Sequence, residues 1–309
     1  MKKILLIIIS LFSLPLCASP IEVAITVDDL PVHMDLPPKV TRLDVVKQML
    51  SALDKHGLKN VYGFINAGHI NNDDNNYNVL KLWVNSGQLL GNHTYEHVNL
   101  NKVNPTEFIK QIQLNDPYLK TLMGDKNYHY FRYPYLYEGN TQQKRDQVRH
   151  DLLTHDYQIA QVTMDFQDYL WNNAYVRCVK KQNTKAIDWL KKSYIEQALN
   201  SITVAHALSM ATIHRDIKNI LLLHIGVFDA LILDDLLTAY EKQGVKFISL
   251  TEALQDKAYA MNPNIVSDNT GGFLEQLVHS KKTAVPTIVK KLMDDIPKNK
   301  LMNLCKSSD

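Results

Sequence analysis

Two aspartates, Asp28 and Asp29, stand side by side in ITVDDLP, where a short apolar run ends. Neighbouring carboxylates repel, so the pair calls for plain hydration or a cation. Further along, GNHTYEH carries His93 and His97, FRYPY carries Arg132 and Tyr135, MDFQDYLW carries Asp165 and Asp168, and ILLLH ends in His224. Imidazoles four residues apart share one face of a helical turn and can bind one ion. Two histidines and one carboxylate form a donor set for a divalent metal such as zinc, with positions left open for water. One member of the aspartate pair can complete that set while the other stays free to act as a base. Consecutive side chains of a strand point to opposite faces, so both carboxylates reach one site only where the strand ends and the backbone bends.

Singly, each of these residues has an ordinary structural role: a cap or turn for Asp28–Asp29 and Asp168, a surface ion pair for Arg132, a core or rim position for His224. Their common placement is what carries information. Runs rich in β-branched and aliphatic residues predict strands over 21–27, 60–65, 88–91, 130–132, 159–163, 220–224 and 245–248. Between them, TRLDVVKQMLSALDKHG, PTEFIKQIQLNDPYLKTLMG and DALILDDLLTAYEKQG read as capped helices that stop at glycine. Strands alternating with helices predict an α/β fold with a parallel sheet, and seven such units predict a closed barrel. An open doubly wound sheet is the alternative, but no Gly-rich first turn supports it. The titratable groups follow five separate strands, at the end where parallel barrels carry their active sites. That distribution points to an enzyme.

The segment 172–219 is too long for one crossover and reads as an insertion with one or two helices. Beyond 261 the chain turns polar, then amphipathic in FLEQLVHSKK, as a C-terminal extension over 261–309. At the other end, Lys2 and Lys3 precede an apolar run and the small residues Ala18 and Ser19, the layout of a signal peptide over 1–18. The run is shorter than the roughly 20 apolar residues that span a bilayer, so the mature chain is expected to be exported, periplasmic or secreted, without stable membrane insertion. Cleavage removes two lysines and no acids from a chain of formal charge +2. The resulting neutrality gives no electrostatic basis for a nucleic-acid partner. Cys178 and Cys305 then remain, as one disulfide or as two thiols; the sequence leaves both open.

In order, TVDD, HTYEH, RYPY, DFQDY and LLH resemble the five motifs of the polysaccharide deacetylases, the NodB-homology or carbohydrate esterase family 4 enzymes, across about 22–254. The resemblance implies a distorted (β/α)7 TIM-like barrel spanning 19–260 and removal of N-acetyl groups from a glycan such as peptidoglycan or a chitin-like oligomer. It implies Asp28 as catalytic base, Asp29, His93 and His97 as metal ligands, and Arg132 as the group that holds the base. Asp168 resembles the carboxylate that orients His224, the general acid, and the Tyr135 amide resembles the oxyanion donor, with Leu222 as an apolar neighbour. Zinc is the metal expected first, with cobalt, nickel or manganese as alternatives. The chain departs from the motifs at Leu30, where glycine is common, at Tyr133, where proline is common, and at Tyr169, where tryptophan is common; Trp171 follows two residues on. Tyr133, Tyr135, Tyr137, Tyr169 and Trp171 are candidate sugar-stacking groups. Two other readings remain: hydrolysis of a non-sugar acyl amide, imide or ester on the same barrel, and a non-catalytic glycan-binding protein.

Overall fold

Strand β1 (Ile21–Leu30) is the organising element, and its alternation explains why. Val23, Ile25 and Val27 point outward into the large cluster beneath the helices, whereas Ala24, Thr26 and Asp28 occupy the alternate face. A strand covered on both faces is the signature of a parallel sheet wrapped by helices. The computed structural model describes residues 20–72, 74–269 and 271–306, so the segment read as a signal peptide lies outside the described residues.

Six further strands follow: β2 (Tyr62–Ile65), β3 (Leu89–Asn92), β4 (Tyr130–Phe131), β5 (Gln158–Ile159), β6 (Asn219–His224) and β7 (Val245–Ile248). All pairings between these strands are parallel, in the order β5-β4-β3-β2-β1-β6. One edge of β1 pairs β6 along Val23–Asp28; the other is shared by β7 at Ile21–Ala24 and by β2 from Thr26 onward. The segment predicted as a strand over 159–163 is mostly irregular. Its Ala160 amide bonds Phe131 on one side, and the Thr163 and Met164 amides bond Ile220 on the other. A chain passing from one neighbour to the other cannot keep a regular ladder, but the Met164–Leu221 bridge closes the ring. The result is a distorted (β/α)7 barrel, as the strand count predicted.

The helices are α1 (Arg42–Lys55), α2 (Asp74–Asn85), α3 (Pro105–Met123), α4 (Gln142–Thr154), α5 (Tyr169–Lys180), α6 (Thr184–Thr212), α7 (Val227–Lys242), α8 (Leu250–Ala253), α9 (Phe273–Ser280), α10 (Thr287–Asp294) and α11 (Lys298–Asn303). Helix α1 starts from a capping box between Thr41 and Asp44, and α3 from Asn104 with Pro105 behind it. The stretch predicted as an insertion contains most of α5 and all of α6. Their buried residues Trp171, Leu190, Tyr194 and Ala198 join the same core as α7, so this stretch is part of the main hydrophobic cluster. The C-terminal stretch also docks: Phe273, Leu274, Leu277 and Val278 are buried, and the Phe273 amide donates to the Val162 carbonyl. Cys178 and Cys305 form a disulfide, beside which Arg177 donates to the carbonyls of Leu301 and Leu304.

Candidate functional site

At Asp28 and Asp29 the backbone bends as two carboxylates at one site require. The register of β1 against β2 shifts between Val27 and Leu30, and Asp29 has φ 66°, in the left-handed region. A non-glycine residue held there is strained, a cost that sites tolerate where surrounding contacts fix the geometry. Thr94, His97, Tyr135 and Gln167, in the turns after three other strands, share this conformation. Leu30, where glycine is common, is fully buried against Gly63, which has no Cβ to obstruct it.

Asp28 is almost wholly buried beside Arg132, whose Nη1 lies 3.1 and 3.2 Å from the two carboxylate oxygens. The same guanidinium donates from Nε to the Ala160 carbonyl and from Nη2 to Thr26 Oγ1, and it lies over the Phe64 ring. Each nitrogen of this buried cation is therefore engaged, which fixes Asp28 from behind. Phe64 reaches beneath Arg132 because Gly91 leaves room: a Cβ there would stand 2.7 Å from the ring.

Asp29 Oδ1 lies 3.4 Å from His93 Nε2 and 3.3 Å from His97 Nε2. His93 Nδ1 lies 2.7 Å from the Arg132 carbonyl, which can only accept, so Nδ1 carries a hydrogen and the neutral tautomer that fits this contact presents its lone pair at Nε2. Burial pushes His97 down to about 4, so its imidazole is neutral at ordinary pH. Asp29 Oδ1 is buried and has no hydrogen-bond partner among the described residues. Bare nitrogen and carboxylate lone pairs that converge without a proton between them repel, and a cation relieves this. Donors about 2.0–2.1 Å from a tetrahedral ion stand about 3.3–3.4 Å apart, so the spacing fits.

His33, which the sequence reading passed over, completes this cluster. Its Nδ1 bonds Asp29 Oδ2 at 2.7 Å and its ring stacks on His224 at 4.6 Å. Burial would raise the Asp29 carboxyl, but the surrounding imidazoles, His33 foremost with His93 and His97, together outweigh it, and Asp29 sits well below the usual carboxylate range. Asp29, His33 and His224 also converge. However, His33 uses Nδ1 on Asp29 and His224 uses Nδ1 on Asp168, which marks a hydrogen-bonded cluster rather than a second donor set.

Across the same cleft, Asp168 accepts from the His224 backbone at 2.7 Å and bonds its ring Nδ1 at 2.8 Å. Burial would lower His224, but the charge and hydrogen bond of Asp168 prevail and raise it well above the ordinary imidazole range. Behind Asp168 stands buried Asp229, pushed well up by burial and by the Asp168 charge, with the Tyr194 hydroxyl 2.6 Å from its Oδ1. No periodic signal marks Asp229, which sits in the first turn of α7.

A cleft of about 790 Å³ collects Asp28, Asp29, His33, His93, His97 and His224 on one floor. Leu222, Asp165, Tyr135, Tyr137 and Tyr169 line it, with Tyr135 54% exposed and packed on the His97 ring. Trp171 corrects the prediction: it is fully buried against Phe166 and Tyr194, and its indole donates to Ser193. Two helical residues rotate the side chain by about 200°, so Tyr169 faces the cleft and Trp171 the core. Tyr133 borders the cleft but is itself buried, its ring packed against Phe108 and Phe131. Unforeseen from the sequence, Gly271, Gly272, Glu275 and Met293 of the C-terminal stretch supply one wall. Burial raises Glu275 to about 7.

The residues that build the first half of this site also carry a family signature: positions 17–151 match the polysaccharide deacetylase family model. That match covers somewhat less than half of the chain. The matched region contains Asp28, Asp29, His93, His97, Arg132 and Tyr135; Asp168 and His224 come from the chain beyond it. Among curated proteins, a chitin deacetylase of Arthroderma benhamiae is 24% identical over 213 residues, 69% of this chain and 49% of that protein. A peptidoglycan-N-acetylglucosamine deacetylase of Bacillus cereus is 36% identical over 103 residues, 33% of this chain and 32% of that protein. The chain spans about half or less of these relatives. Among solved structures, the chitin deacetylase of Colletotrichum lindemuthianum has TM-score 0.52 at 21% identity, over 78% of this chain and 90% of that one. A CE4 family pseudoenzyme from Bacillus anthracis has TM-score 0.51 at 19% identity, over 77% and 66%. Both share the fold.

Proposed function

We propose that this chain is an exported, metal-dependent hydrolase that removes N-acetyl groups from an N-acetylated glycan of the peptidoglycan or chitin type. The observation that carries the reading is the convergence of three functions on one cleft. A carboxylate fixed by a buried arginine lies 3.7 Å from His93 Nε2, the lone pairs of Asp29, His93 and His97 converge, and the His224–Asp168 pair stands close by. The proposed organisation is a signal peptide over 1–18, a barrel over 19–260 with its insertion at 172–219, and the 261–309 extension.

Asp29, His93 and His97 hold the cation, zinc by the nature of the donors. When bound, the ion supplies Lewis acidity that makes a water more acidic and an acyl carbonyl more electrophilic. Asp28, kept in place by Arg132, accepts the proton of the attacking water. The Tyr135 amide donates to the oxygen that gains charge as the carbonyl carbon becomes tetrahedral. His224, held protonated by Asp168, gives its proton to the departing nitrogen, and acetate and a free amine result. Leu222 lies beside the reacting acetyl group. Tyr135, Tyr137 and Tyr169 offer aromatic faces to a sugar ring, which favours a glycan over a smaller acyl amide.

The test is zinc content and acetate release on one preparation, with N-acetylglucosamine oligomers beside simple esters and ureides. The wild-type chain should hold about one zinc and release acetate from the oligomers. Asp28→Asn should keep the metal and lose most turnover, and His93→Ala should lose both. Wild-type turnover in Asp28→Asn would remove the base assignment, and hydrolysis of only esters or ureides would redirect the substrate.

A further inference from the structure

His33 has a place in the cluster that none of the five motifs assigns. It follows Pro31 in the loop after β1, is 6% exposed, and has two distinct contacts. Nδ1 donates to Asp29 Oδ2 at 2.7 Å, while the ring lies 4.6 Å from that of His224 with 26° between planes. Nε2 is buried and has no partner among the described residues. A proton there would be a buried donor without an acceptor, so the ring is held as the Nδ1–H tautomer. The loop is itself anchored, because Arg42 donates to the backbone carbonyls of His33 and Met34.

We propose that His33 is a positioning residue, fixing Asp29 through Nδ1 and backing His224 with its ring face; this rests on the reading of Asp29, His93 and His97 as a metal set. A carboxylate torsion has a broad, two-fold profile, so an unrestrained Asp29 can turn its oxygens away from the imidazoles. With Oδ2 occupied by His33, Oδ1 is the oxygen left toward His93 and His97. A partner that orients a ligand in this way is typically worth about 10–100-fold in metal affinity. The ring face has a separate effect: it limits how far the His224 imidazole can tilt toward the loop.

Two variants of the full chain separate the effects. His33→Asn keeps an N–H near the place of Nδ1 and loses the ring, whereas His33→Phe keeps the ring and loses the donor. Zinc affinity is read by competition with a chromophoric chelator, and turnover is read at saturating zinc. The expected result is that His33→Phe binds zinc about 10–100-fold more weakly. His33→Asn should bind zinc like the wild type and have a lowered kcat with KM unchanged. Equal zinc affinity in His33→Phe and wild type overturns the positioning role, and so does an equal loss in both variants, which is what loosened packing would give. Melting of the metal-free proteins is recorded alongside, and His33→Ala replaces the phenylalanine variant if that does not fold. A wild-type chain that binds no zinc overturns the metal site itself, a failure seen before any variant is compared.

Discussion

Asp168→Asn tests the acid half of the site, because the two side chains have the same shape and differ in what they accept. Asp168 is fully buried and takes two donors from His224, the backbone N–H at 2.7 Å and the ring Nδ1 at 2.8 Å. A carboxylate accepts both; an amide has one acceptor oxygen. The backbone donor cannot change, so the amide oxygen stays with it and the amide nitrogen meets Nδ1. His224 is then forced into the opposite tautomer and loses the counter-charge that keeps it protonated. Positioned proton transfer contributes about 10²–10⁴ in rate, or about 3–5 kcal/mol at 1.36 kcal/mol per tenfold. Turnover measured by acetate release from a chito-oligosaccharide should fall by that factor, with zinc content unchanged. The alkaline limb of the rate profile should also move to lower pH, because the wild-type imidazole titrates well above its ordinary range. Stability carries the same sign. A histidine raised in the folded state stabilises fully below its unfolded value, about 6.5, and that contribution is lost as pH rises through the folded value. The melting gap between wild type and variant should thus be widest in mild acid, above the range where carboxylates protonate, and narrow in alkali. Unchanged turnover together with an unchanged alkaline limb would refute the pairing.

Two further outcomes probe the scaffold. Gly91→Ala places a Cβ 2.7 Å from Phe64 and 2.8 Å from the Tyr130 carbonyl; a thermal melt should show a loss of about 1–3 kcal/mol, with turnover falling as Arg132 loses its support. Replacing both Cys178 and Cys305 by serine should cost about 2–4 kcal/mol in a urea titration, and limited proteolysis should cut the 285–306 segment faster, because the disulfide and Arg177 both hold it.

The strands and most of the polar residues that meet in the cleft were legible because they depend on local pattern: aliphatic runs mark the strands, and polar residues at their ends mark the rim. The bend at Asp28–Asp29 could also be anticipated, since two adjacent carboxylates cannot otherwise share a site, and the register shift with φ 66° at Asp29 supplies it. Trp171 shows that proximity in sequence is not proximity in space: from Tyr169 onward the chain is helical and the period decides the face. His33 stands four residues after Asp29, the same offset that separates His93 from His97, and that spacing was the one available signal. Asp229, and the wall built from Gly271, Gly272, Glu275 and Met293, arise from tertiary docking, which no local period encodes.

The pairing of β1 has a consequence in time. Thr26 bonds the Leu221 carbonyl across 195 residues of chain, and β7 joins the same strand later still. Loops of that size close slowly compared with neighbouring turns. A chain emerging from its N-terminus can therefore assemble Asp29, His93 and His97 well before β6 delivers His224. On this ordering, and under the function proposed above, an unfinished molecule would gather Asp29, His93 and His97 but lack His224, and turnover would begin only once β6 has been made and the ring shuts.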